Sequence, residues 1–75
     1  MEPTKAQLQS AVPGQVYRHY KGGLYRVLHL AKHTETSELL VIYQSLHFGS
    51  YYARPLWDWC TPVNSNPRFW PYTEQ

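Results

Sequence analysis

A single cysteine, Cys60, in a chain of 75 residues excludes an intramolecular disulfide. Stability therefore has to come from packing or from a partner. No run approaches the ~20 apolar residues of a membrane-spanning helix, and the first fifteen residues, MEPTKAQLQSAVPGQ, have no apolar core of a secretory signal. The expectation is a soluble, cytoplasmic chain that makes no membrane contact and carries Cys60 as a reduced, inert core thiol. Acids are scarce: Glu35 and Glu38 flank a turn and Asp58 stands alone between tryptophans. Without paired carboxylates, or a nucleophile beside a base, no catalytic residue is expected, and the chain reads as a non-enzyme.

The four histidines carry no metal-ligand spacing. His29 and His33 would share a zinc on a helix, but on a strand they lie about 13 Å apart. Neither a metal nor any other cofactor is expected. Glycines are few, yet two of them are adjacent in HYKGGLY, residues 19–25. A phosphate cradle would need a helix after those glycines, whereas LYRVLHLA follows, a strand-like run. The pair therefore reads as the two-residue loop of a hairpin. That loop sets Lys21 opposite Leu24, Tyr20 opposite Tyr25, His19 opposite Arg26 and Tyr17 opposite Leu28. It leaves both faces of the ribbon mixed in polarity.

What the chain does have is aromatic bulk: seven Tyr, three Trp and two Phe, each able to bury roughly 150–250 Å². Strands are expected at 15–20, 24–32, 39–45 and 51–54, with a short fifth at 57–61. Pro55 ends the fourth, because it has no N–H for a ladder. The long second strand is expected to bend or bulge. Short connections make the sheet antiparallel, and so small a sheet is expected to curl like a barrel. Ahead of it, Thr4 and Gln7 form a capping-box pair for a helical turn that Pro13 and Gly14 stop. The organisation is thus 1–12, an N-terminal extension that is frayed or a short helix, and 13–75, one mainly-β domain. Its tail, NSNPRFWPY, lies over the sheet.

The segments PGQVYRHYKGGLYRVLHLAKHTET, LLVIY, ARPL and PRF resemble a bacterial family of domains of unknown function, the one numbered sixteen fifty-three. The resemblance spans Pro13 to Phe69. It implies an SH3-like β-barrel and no assigned activity. Gly14, Tyr17, His19, Lys21, Gly22, Tyr25, Val27, Arg54, Pro55, Leu56, Arg68 and Phe69 fall on the family's pattern. Trp57, Trp59 and Cys60 depart from it.

Two constellations bear on function. Tyr17, His19 and Lys21 alternate on one strand: they form either a row of ligand contacts or a packed tyrosine with two solvated neighbours. YYARPLWDWC gathers four rings around Arg54, either as an exposed aromatic groove or as the closure of the sheet with Arg54 paired to Asp58 or Glu38. The candidate ligand-binding residues are Tyr17, His19, Lys21, Arg26, Arg54, Trp57 and Trp59. Gly22, Gly23, Tyr25, Val27, Pro55 and Phe69 are the structural ones. A peptide or protein is the first expected partner class. The second is nucleic acid, because Arg18, Lys21, Arg26, Lys32, Arg54 and Arg68 outnumber Glu35, Glu38 and Asp58 to leave +3 between Gln15 and Tyr72. A small hydrolytic or metal enzyme is the third reading.

Overall fold

The computed structural model describes residues 3–73. The chain runs α1 (Lys5–Gln9), β1 (Val16–His19), β2 (Leu24–Lys32), β3 (Leu39–Ser45), β4 (Tyr51–Pro55), α2 (Leu56–Cys60) and β5 (Phe69–Pro71). All strand pairs are antiparallel, and the five strands form one sheet in the order β4-β3-β2-β1-β5. The molecule is mainly β, as the strand count implies. Its sheet is not closed into a barrel: β4 and β5 are its two edges, and side chains rather than a ladder bridge the gap between them.

α1 begins where its capping box places it. Thr4 Oγ1 accepts from the Gln7 N–H at 3.1 Å, and Gln7 Oε1 accepts from the Thr4 N–H at 2.9 Å. Five residues are too few to hold a helix alone, so docking holds it. The Trp59 Nε1–H donates to the Ser10 carbonyl at 3.0 Å, Ser10 Oγ and Cys60 Sγ are hydrogen-bonded at 2.9 Å, and Ala11 is fully buried.

The β1–β2 turn differs from the two-residue loop read from the sequence. Gly22 N–H donates to the His19 carbonyl at 2.7 Å, and His19 N–H donates to the Gly23 carbonyl at 2.8 Å. This is a three-residue connection closed by a glycine bulge, with Gly22 at φ +102. The ladder pairs Arg18 with Leu24, Tyr17 with Tyr25 and Val16 with Arg26, three positions from the expected register. An odd shift exchanges faces. Tyr17 therefore shares its face with Tyr25 and Val27, and Arg26 falls with Val16 on the other. The expected irregularity in β2 is a register shift between Val27 and His29 that allows both Val27 and Leu30 to pack inward.

The expected fifth strand at 57–61 is a helix instead. Pro55 closes β4 and caps α2, whose Leu56 and Trp59, three residues apart, both plunge into the core. Packing at helical spacing overrides the strand preference of tryptophan here. The fifth strand comes from the tail. Phe69 pairs with His19, Trp70 with Arg18 and Pro71 with Tyr17, and an edge tolerates the proline.

The core is Ala11, Tyr17, Val27, Val41, Tyr43, Leu56, Trp59 and Phe69. Trp59 is its hub: it stacks on Phe69 at 3.7 Å and 4° and meets Tyr17 and Tyr43 edge-on at 5.4 and 5.2 Å. Residues from α2, β1, β3 and β5 thus converge on one indole. Rings share the concave face of the sheet with Val27 and Val41, which leaves polar tips inside a small molecule.

Candidate functional site

The gap between the sheet edges is a cavity of about 330 Å³. Every strand contributes to it. β1 supplies His19, β2 supplies Tyr25, β3 supplies Tyr43, β4 supplies Tyr52 and Arg54, and β5 supplies Phe69; Lys21 and Gly23 of the first turn complete the rim. The registers explain the convergence. Tyr43 lies opposite both Val27 and Tyr52, Val41 opposite Arg54, and His19 opposite Phe69, so all of these project to the concave face.

The walls are a lattice of rings. Tyr43 and Tyr52 stack at 5.5 Å, and Tyr25 meets Tyr43, Tyr52 and Phe69 edge-on at 5.4, 6.1 and 6.1 Å. Arg54 crosses the gap, with its guanidinium carbon 5.7 Å from the Phe69 ring centre. Its Nε–H donates to the Tyr43 hydroxyl at 3.2 Å, and its Nη1–H to Asp58 Oδ2 at 2.6 Å. Burial works against the Arg54 charge, but the contacts with Tyr43 and Asp58 outweigh it and hold the pKa above its ordinary value.

Positive charge dominates around the cavity. Both ion pairs among the described residues end on Asp58: Arg54 at 2.6 Å and Arg68 at 4.0 Å. The Arg68 Nε is buried with no hydrogen-bond partner among the described residues. His19 registers this field. Burial first, then Arg54, Arg68 and Lys21, push its pKa below the ordinary histidine value. Its Nδ1 accepts the Lys21 backbone N–H at 3.2 Å, a bond that exists only while that nitrogen is unprotonated.

Of the seven candidate ligand contacts, the structure gathers three: His19, Lys21 and Arg54. Tyr17 and Trp59, expected as ligand contacts, are each only 2% exposed. The Tyr17 hydroxyl accepts the Val12 N–H at 2.9 Å, so its polar tip already has an internal partner. Arg26, also expected there, points off the opposite face and donates to the Gly14 carbonyl at 3.3 Å. Trp57 is exposed but lies elsewhere, over a groove with Leu8, Leu39 and Leu56, and its Nε1–H donates to Glu38 at 3.3 Å. Arg54 does pair with Asp58, and it is also exposed to the cavity, so both sequence-level readings of that arginine are realised at once.

Sequence reasoning missed Tyr43 as a site residue and placed Tyr52 among the four rings of YYARPLWDWC without naming it as a ligand contact. The alternation Val41, Tyr43, Ser45 marks the buried face of β3. Placing Tyr43 under Arg54 requires the β3–β4 register, which no local pattern reveals. Among the described residues no three His, Cys, Asp or Glu side chains gather as a metal set, and no helix is long and apolar enough to cross a membrane.

A family model described as a protein of unknown function (DUF1653) matches residues 15–71. Among solved structures, the crystal structure of a protein belonging to DUF1653 from Bordetella bronchiseptica is similar to this chain. The two are 38% identical, with 88% of this chain and 91% of that one covered, at a TM-score of 0.73. No curated protein matches.

Proposed function

The chain belongs to the DUF1653 family of unknown function, and from its own geometry we propose a non-enzymatic binding module that grips a peptide or protein partner in the pocket between β4 and β5. One observation carries the reading: His19, Lys21 and Arg54 converge on a cavity walled by Tyr25, Tyr43, Tyr52 and Phe69. Aromatic walls supply apolar area at little entropic cost, and the cations select the charge of whatever enters. Among the described residues β4 is also an unpaired sheet edge beside the cavity, so an extended segment has backbone to pair with while a side chain fills the pocket.

Selection of random displayed peptides on the immobilised protein tests this. Enriched sequences are expected to carry an acid beside an apolar or aromatic residue. Tyr52→Ala and Arg54→Ala should each weaken a selected peptide by about thirty-fold or more, the ~2 kcal/mol of an interface hot spot. Tyr52 is half exposed, so its loss should leave the melting temperature nearly unchanged. Peptides that bind Tyr52→Ala and Arg54→Ala as well as the parent would place the interface elsewhere.

Nucleic-acid binding is the second reading, favoured by the same rings and the excess of cations, since bases stack on aromatic side chains in basic grooves. Its signature is affinity for short single strands that falls steeply with salt. A flat salt response in a fluorescence titration rejects it.

A further inference from the structure

The charges lining the pocket are unevenly partnered. Asp58 of α2 faces Arg54 of β4 and Arg68 ahead of β5. Lys21 of the first turn lies with its ammonium 5.7 Å over the Tyr20 ring, and among the described residues it has no carboxylate partner. His19 sits among these groups, in edge contact with Phe69 at 4.8 Å and with Tyr25 at 6.3 Å. One carboxylate therefore serves two guanidiniums, and an ammonium and an imidazole beside it have none.

Building on the pocket reading above, we infer that this pocket is a proton-linked carboxylate site: an acid group entering between Arg54, Lys21 and His19 is held more tightly once the imidazole is protonated. The ligand-free hydrogen bonding is that of a neutral imidazole. Nδ1 takes the Lys21 N–H, which leaves the proton on Nε2. Burial and three nearby cations disfavour a second proton there. A carboxylate in the cavity cancels that repulsion and supplies an acceptor for the new charge, so uptake of the anion and of the proton reinforce each other equally.

The state of Arg54 selects the kind of anion. Its Nε and Nη1 already serve Tyr43 and Asp58, so the fork that would grip a phosphate or a carboxylate through two parallel bonds is engaged, and a multiply charged group would go under-satisfied there. What remains suits a singly charged group with an apolar stem lying on Tyr25 and Tyr52. A glutamate or aspartate side chain and a peptide C-terminus share that chemistry.

NMR titrations of the full-length protein at pH 5.5 and 8 test the inference. The probes are N-acetylglutamate α-methylamide for a side-chain acid, N-acetylleucine for a chain end, and inorganic phosphate. One or both carboxylates should shift the Lys21 and Gly23 amides, raise the apparent pKa of the His19 imidazole at saturation, and bind tighter at pH 5.5 than at pH 8, by up to about tenfold per unit of that rise. The stronger of the two identifies the source. His19→Gln should retain binding and lose its pH dependence, Arg54→Gln should lose binding, and Arg26→Ala, on the far face, should behave as the parent. Carboxylates that leave the cavity amides and the His19 titration untouched overturn the inference, as does tighter binding of phosphate. Selected peptides that need Arg54 yet bind equally at both pH values overturn the proton linkage alone and leave the pocket reading standing.

Discussion

Gly22 and Gly23 are adjacent, and each is glycine for a different reason. At φ +102, Gly22 occupies backbone space that side chains rarely enter, although nothing stands within 4 Å of where a Cβ would go. Gly23 has no such angle; a Cβ there would meet the Tyr25 ring at 2.9 Å. Gly22→Ala is therefore expected to cost roughly 1–2 kcal/mol of stability, the strain of a left-handed side chain, with the pocket intact. Gly23→Ala should cost less, because the ring edge can swing aside, and should weaken ligand binding more, because that ring is a pocket wall. Urea denaturation and peptide affinity of both variants check this, and equal profiles for the two would refute it. The sequence identifies the pair as a reversal but is silent on which glycine takes the unusual angle, since Gly-Gly suits loops of two or three residues. The mixed polarity of both faces under the two-residue register was itself a sign of misalignment. The observed register lessens it by gathering Tyr17, Tyr25 and Val27 on one side, where they join the core.

Among the elements, those with a strong local signature were legible: β2 and β3 begin and end where alternation and turn residues put them, and α1 follows from its capping box. α2 and β5 were not, because their conformation is decided by what they pack on. Leu56 and Trp59 are helical only because both reach one core, and FWP is a strand only because β1 offers an edge. Thr4→Ala removes one side of the capping box, about 1 kcal/mol of α1. Hydrogen exchange should then quicken at Leu8 and Ser10, whose amides bond back to Thr4 and Gln7, while the β2–β3 amides keep their protection; uniform loss of protection would mean that α1 and the sheet unfold together. Phe69→Ala is the opposite case. It deletes the ring stacked on Trp59 and the β5 residue facing His19, at a cost of about 3–5 kcal/mol. That equals the roughly 3–5 kcal/mol a core of this size provides, so circular dichroism should show a chain largely unfolded at 25 °C.

At the scale of the whole molecule, incomplete closure is the feature from which the pocket follows. Closing the sheet would pair β4 with β5 and remove the cavity; leaving it open lets Arg54 lie over Phe69 and keeps His19 within reach of three cations. The cation excess was visible in the sequence, but its focus on one imidazole was not, because Lys21, Arg54 and Arg68 meet only through the curl of the sheet. That focus has a consequence for global stability. The unfolded imidazole takes its proton near 6.5, whereas the folded one takes it only at lower pH. As pH falls below 6.5, protons load the unfolded chain first, so the His19 contribution to stability, complete above that value, declines until the folded state is protonated too. Denaturant melts at pH 7.5 and 5 should show this loss in the parent and a smaller one in His19→Gln. Saturating carboxylate should shrink the loss in the parent, since a filled pocket restores the folded imidazole's affinity for its proton. An identical pH slope in parent and variant would show that burial and the cations around His19 do not together lower its pKa, and with that the electrostatic basis of the pocket would fail.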